Sequence, residues 1–151
     1  MQLVVRGYND GFAFCYKIPD GKGPCVNVQS ELTAYNFAGD YTAWFYNGEN
    51  HIIGPEKLTE TDGTRLPVMT VKAGDKHYMA IHEACLETGA PLVLQSKGGE
   101  SLFSVASKPT SLSPGYTSAW RVVLYGTTPG VLADSHVVEL LNPDPDARYD
   151  F

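Results

Sequence analysis

The sequence predicts an all-β fold, a sandwich or barrel of short strands, and three observations carry that expectation. Apolar residues recur in short runs that alternate with polar or small ones. Clusters of turn-forming residues separate the runs, in a chain of 151 residues that holds 15 glycines and 10 prolines. No window repeats apolar residues at the spacing of an amphipathic helix.

The first strand is expected over residues 3–8 and the second over 12–18, where Phe12, Phe14, Tyr16 and Ile18 alternate with Ala13, Cys15 and Lys17. A period of two puts the rings on one face. Asn9-Asp10-Gly11 lies between the two runs and supplies the positive φ of a tight hairpin, so these strands should pair antiparallel. Residues 19–24 break the ladder with two prolines and two glycines. Further strands are expected over 31–37, 43–46, 66–72, 77–84, 92–95, 102–106, 118–125 and 136–141, with a helical turn over 131–134. Signals such as Asn47-Gly48, Asp62-Gly63 and Ser113-Pro114-Gly115 punctuate them. Periodicity is lost over 142–151, where Pro143 and Pro145 favour extended chain. One domain over 1–141 followed by a linker is the expected organisation.

Composition narrows the function. With 11 Lys and Arg against 17 Asp and Glu, the formal charge of −6 argues against a protein that binds nucleic acid by neutralising phosphates. The start lacks the basic segment and apolar core of a signal peptide, and no apolar stretch approaches the length of a membrane-spanning helix. Cys15, Cys25 and Cys85 form no zinc-type spacing, and an odd count leaves at least one free thiol. Cys15 and Cys85 sit in apolar runs and are expected to be buried and inert.

Most acidic residues, including Glu31, Glu49, Glu56, Glu60, Glu87, Glu100 and Glu139, have no diagnostic spacing and read as solvated edges or loops. Glu83 differs because it interrupts the apolar run 78–86 near a strand end. A carboxylate there should be partly buried and needs a cation or hydrogen-bond donors. A functional role and simple pairing with an arginine such as Arg121 are both open. His82 is the one histidine with an acidic neighbour, yet adjacent strand residues point to opposite faces, so His82 and Glu83 cannot form a dyad. No nucleophile elbow, phosphate-binding loop or dinucleotide fingerprint is present. Tyr41, Trp44, Tyr46 and Tyr116 fall in or near loops and could stack on a sugar, although most rings in such a fold are core and Trp120 reads as structural.

Five segments resemble, in order, the N-terminal domain of glycoside hydrolase family 97: residues 5–16 (VRGYNDGFAFCY), 30–35 (SELTAY), 82–84 (HEA), 119–123 (AWRVV) and 140–143 (LLNP). The resemblance implies a β-super-sandwich similar to galactose mutarotase, preceding a catalytic (β/α)₈ barrel. It implies a calcium-dependent, exo-acting α-glucosidase or α-galactosidase whose catalytic carboxylates lie on the barrel and whose members are often exported to the periplasm. It further implies that the sandwich packs on the barrel and lends a glutamate to the Ca²⁺ site, at the position of Glu83. Cys15 departs from the family, which often has a basic residue there. The barrel and the first strands of the sandwich are expected to be missing from this chain. By itself it should therefore be inactive, should bind calcium weakly, and should self-associate through exposed strand edges. The rivals are a stand-alone carbohydrate-binding module and a mutarotase-like epimerase, the latter disfavoured by the opposed His82 and Glu83.

Overall fold

A computed structural model describes residues 1–48, 51–87 and 89–144. The strands are β1 (Gln2–Tyr8), β2 (Gly11–Lys17), β3 (Val26–Val28), β4 (Ala34–Asn36), β5 (Thr42–Tyr46), β6 (Ile52–Lys57), β7 (Asp62–Lys72), β8 (Tyr78–Ala84), β9 (Leu94–Lys97), β10 (Leu102–Val105), β11 (Thr110–Leu112) and β12 (Trp120–Gly126). Two short helices follow, α1 (Pro129–Ala133) and α2 (Val137–Leu141). All described strand pairs are antiparallel.

The larger sheet runs β1-β2-β12-β8-β7-β5-β6, and a smaller one runs β7-β9-β10-β4. β7 belongs to both. Its first residues, to Arg65, pair with β9, and from Met69 onward it pairs with β8. Pro67 stands between these two stretches, where its missing N–H breaks no ladder on that side. β3 and β11 form a separate two-stranded sheet.

Strand alternation divides the apolar residues between two cores. Phe45, Met69, Val71 and Ile81 of the larger sheet meet Leu94, Phe103 and Val105 of the smaller one and Leu92 just before β9, with the Phe45 and Phe103 rings 5.6 Å apart. On the reverse face Ala13, Cys15, Trp120, Val122 and Leu124 pack under Val137 and Leu141 of α2. Burying each such large side chain is worth about 1.5–3 kcal/mol, so both faces of the central strands contribute.

The expected β1–β2 hairpin is present, with Tyr8 opposite Gly11, but Asn9, Asp10 and Gly11 all keep negative φ. Gly11 is needed for space instead: a Cβ there would lie 2.3 Å from the Val123 carbonyl oxygen of β12. The expected strand over 136–141 is α2. Val137 and Leu141 are four apart and buried, whereas Leu140 is exposed, so the run is helical in period and only its paired valines suggested a strand. The turn expected over 131–134 is α1, with Pro129 at its first position, where a missing N–H costs nothing. Strands β3, β6 and β11 were not expected from the sequence. The expected strand over 31–37 is confined to β4.

At the C-terminal end, the N–H of Cys85 donates to Asn142 Oδ1 at 2.6 Å, tying Asn142 to the end of β8. Residues 145–151 of the expected linker, and Glu49, lie outside the described residues. Among the described residues no helix is long and apolar enough to cross a membrane.

Candidate functional site

Register places Arg121 and Glu83 in one row of the larger sheet. Arg121 on β12 stands opposite Phe14 on β2 and opposite Glu83 on β8, so all three face the same side. The two neighbours of Arg121, Trp120 and Val122, point to the reverse side and are core. Trp120 is buried as expected, with the Arg6 guanidinium 4.8 Å from its ring centre.

Arg121 is 2% exposed, and its charge is met by two acids. Its Nε and Nη2 donate to Glu31 Oε1 and Oε2 at 3.0 and 2.7 Å, a bidentate pair. Its Nη1 lies 3.7 Å from Glu83 Oε2 and donates to the Ala90 carbonyl at 3.5 Å. Burial works against the guanidinium charge, but the Glu31 hydrogen bond and charge outweigh it and hold the pKa above its ordinary value. The pairing of Glu83 with Arg121 raised by the sequence thus exists as a looser ion pair, and Glu31 is the tight partner. Glu31 was read as a solvated edge. It precedes β4 and sits 90 residues from Arg121, and its own N–H donates to Ser107 Oγ at 2.7 Å.

The Glu83 side chain is 10% exposed. Its Oε2 accepts the Leu92 N–H, and among the described residues its polar contacts fall on that oxygen. Burial pushes the carboxyl above its ordinary range, while the Leu92 N–H and the Arg121 charge pull it back. Two carboxylates around one guanidinium leave one negative charge uncompensated when both acids are ionised.

Tyr35 completes the surroundings. Its hydroxyl is buried and has no hydrogen-bond partner among the described residues, and burial drives the phenol well above its ordinary pKa, Arg121 opposing and Glu31 and Glu83 reinforcing the rise. Nearby, Tyr16 and Thr33 pair their hydroxyls at 2.9 Å. Tyr35 was not singled out from the sequence, although it lies in the 30–35 segment with Glu31.

His82 is on the other face of the sheet, as alternation required. Its Nδ1 accepts the N–H of Glu83 at 2.7 Å, and burial pushes its pKa down. A neutral ring turned onto its own backbone leaves no dyad. Among the described residues no group of three or more His, Cys, Asp and Glu gathers where it could hold a metal. Cys15 is buried with its thiol pushed up by burial. Cys85 corrects its expectation: it is half-buried, with φ of 56° at the end of β8. Of the aromatics expected in or near loops, Trp44 and Tyr46 lie in β5, half-buried and exposed respectively, Tyr41 and Tyr116 are half-buried, and Tyr41 lines a cleft together with Tyr125.

Fold and site define the chain as a β-sandwich domain that presents one buried acid–arginine–acid cluster at a sheet end. The chain belongs to the family described as the N-terminal domain of glycosyl hydrolase 97, whose model matches residues 1–143. A glycoside hydrolase family 97 enzyme from Pseudoalteromonas sp. strain K8, solved in complex with acarbose and with panose, is similar in fold. It is 23% identical, with a TM-score of 0.77 over 95% of this chain and 23% of that chain. A β-arabinopyranosidase structure is 15% identical, with a TM-score of 0.69 over 83% of this chain and 25% of that one. The chain therefore spans about a quarter of the solved enzymes' length. No curated protein matches.

Proposed function

We propose that the chain is the non-catalytic N-terminal sandwich of a calcium-dependent, exo-acting α-glycoside hydrolase. On this reading residues 1–141 form the domain and residues 142–151 lead toward a catalytic (β/α)₈ barrel. Glu83 supplies one ligand to a calcium site whose other ligands come from that barrel. The substrate of the whole enzyme is an α-glucoside or α-galactoside, a reading in keeping with the acarbose and panose of the solved relative.

The observation that supports this reading is the state of Glu83: a buried carboxylate, oriented through Oε2, in a cluster that carries one negative charge more than its arginine offsets. Ca²⁺ takes about six to eight oxygen ligands. Glu83 and Glu31 are the acids at hand, and Arg121 occupies both oxygens of Glu31. The donor set thus fits one ligand of a shared site and not a complete one. When bound, calcium acts as a Lewis acid toward a substrate oxygen. The chain's own part is to hold the Glu83 carboxylate in one orientation and to favour its charged form through Leu92 N–H and Arg121.

Calorimetric titration of Ca²⁺ into the chain tests the ligand role. Weak binding that Glu83→Gln abolishes is expected, whereas tight binding untouched by Glu83→Gln overturns it. Chromogenic α-glucosides and α-galactosides with calcium present should show no turnover by this chain. Turnover would sink the non-catalytic reading.

A further inference from the structure

We propose that the chain carries a second ligand site, independent of calcium: a shallow cleft at the far end of the Glu83 face, suited to one neutral pyranose ring. Met79 on β8 and Tyr125 on β12 stand opposite each other, four positions along the same strands from Glu83 and Arg121. Alternation therefore returns them to the same face, about 13 Å away at the rise of a strand.

The cleft holds about 410 Å³ and lies between these residues, the β4–β5 connection and the β7–β8 turn. Phe37, Tyr41, His77, Met79 and Tyr125 give it apolar and aromatic walls, and Asn36 adds an amide. Among the described residues its lining includes no Lys, Arg, Asp or Glu. A charged ligand would find no carboxylate, ammonium or guanidinium partner among them. A purely apolar ligand would cover polar heads that it could not satisfy. A pyranose meets both halves of this lining, because its C–H face packs on aromatic rings while its hydroxyls reach donors and acceptors at their edges.

The polar heads are held in place. His77 Nδ1 and the Tyr125 hydroxyl are hydrogen-bonded at 2.7 Å, and their rings stack 28° from parallel with centres 6.0 Å apart. The Ala73 N–H donates to the His77 carbonyl at 2.8 Å, and Gly74 takes φ of 71°, so the turn that carries His77 is closed on itself. Tyr41 lies against Gly39, where a Cβ would come 3.0 Å from its ring, and the Tyr41 carbonyl accepts the Leu58 N–H at 3.0 Å. Rings fixed before binding lose little freedom on binding. Tyr41 was among the aromatics that the sequence marked as a possible sugar platform, and the cleft gives it neighbours.

Titration of the whole chain with methyl α-D-glucopyranoside, followed by NMR in the presence of EDTA, tests the site without engaging calcium. Saturable shifts confined to Phe37, Tyr41, His77 and Tyr125 are expected. Tyr125→Ala and, separately, His77→Ala should each weaken binding about tenfold. Both positions are exposed, so the amide spectrum should stay folded. Shifts at Trp44 or Tyr116 instead, no saturation by about 0.1 M sugar, or affinity unchanged in both variants would overturn the proposal. The chelator keeps any such failure separate from the fate of the Glu83 reading.

Discussion

Replacing Arg121 with Met removes the one cation of the buried cluster and keeps an apolar stem of similar reach. In the parent chain Arg121 is bidentate to Glu31 and 3.7 Å from Glu83, whose side chains are 16% and 10% exposed. Breaking a buried pair by deleting one partner costs about 3–5 kcal/mol, because the remaining charge is left without compensation. For a domain of this size that lowers Tm by on the order of 10 °C. The loss also carries a pH signature. Burial already raises the Glu83 carboxyl, and Arg121 is one of the two groups that pull it down, so the variant's carboxyl rises further. Between the ordinary value of 4.5 and that raised value the folded state holds a proton that the unfolded state has released. Stability then falls as pH rises through this window. The deficit of Arg121→Met should accordingly be largest at neutral pH and shrink on acidification, in thermal melts followed by circular dichroism. Adding Glu83→Gln to the variant should recover part of the loss. A neutral-pH deficit under about 1 kcal/mol, the worth of an exposed pair, or one that grows on acidification, refutes the reasoning.

Tyr35→Phe removes a buried hydroxyl that has no hydrogen-bond partner among the described residues, so it should leave stability unchanged or raise it by up to about 1 kcal/mol, and a clear drop in Tm would mean the hydroxyl is satisfied. Gly11→Ala should destabilise by about 1–3 kcal/mol in denaturant melts, since its Cβ would press on the β12 backbone; an unchanged midpoint would mean that the two strands separate freely there. β1 is an edge strand, and Leu3 and Val5 on it are each 59% exposed, so the chain should self-associate, and a monodisperse monomer in light scattering would contradict this.

The local parts of the structure were legible in the sequence, and the long-range parts were not. The β1–β2 hairpin needs two adjacent alternating runs and a turn, all within residues 2–17, and it formed as read. Even there the role of Gly11 was misread, because the close approach that demands it comes from β12, more than a hundred residues away. Glu83 stood out because an acid in an apolar strand is a local anomaly. Its partners Arg121 and Leu92, and Arg121's own partner Glu31, come from three other segments, and their meeting depends on non-adjacent strand pairing. Glu31 lies just outside a regular strand, where no periodicity marks a buried side chain. The misassignment of α2 has a different cause: paired β-branched residues favour strands locally, and packing of Val137 and Leu141 on the reverse face decided otherwise.

One alternation rule writes both ends of the sheet face, and what differs is what closes each end. At Glu83 and Arg121, residues 90–92 fold over the strands, and the Leu92 N–H and Ala90 carbonyl take up the polar heads, so charge is held in a closed, low-dielectric setting. At Met79 and Tyr125 the β4–β5 connection leaves a cleft open, and the groups there are aromatic and hydrogen-bonding. On the readings proposed above, the first end serves a cation and the second a sugar. The two ends are separated by about 13 Å along the strands. No polar side chain is shared between the contacts described at each end, so their substitutions should add independently. On the two proposals, cation and sugar chemistry occupy separate ends of one face of this sandwich.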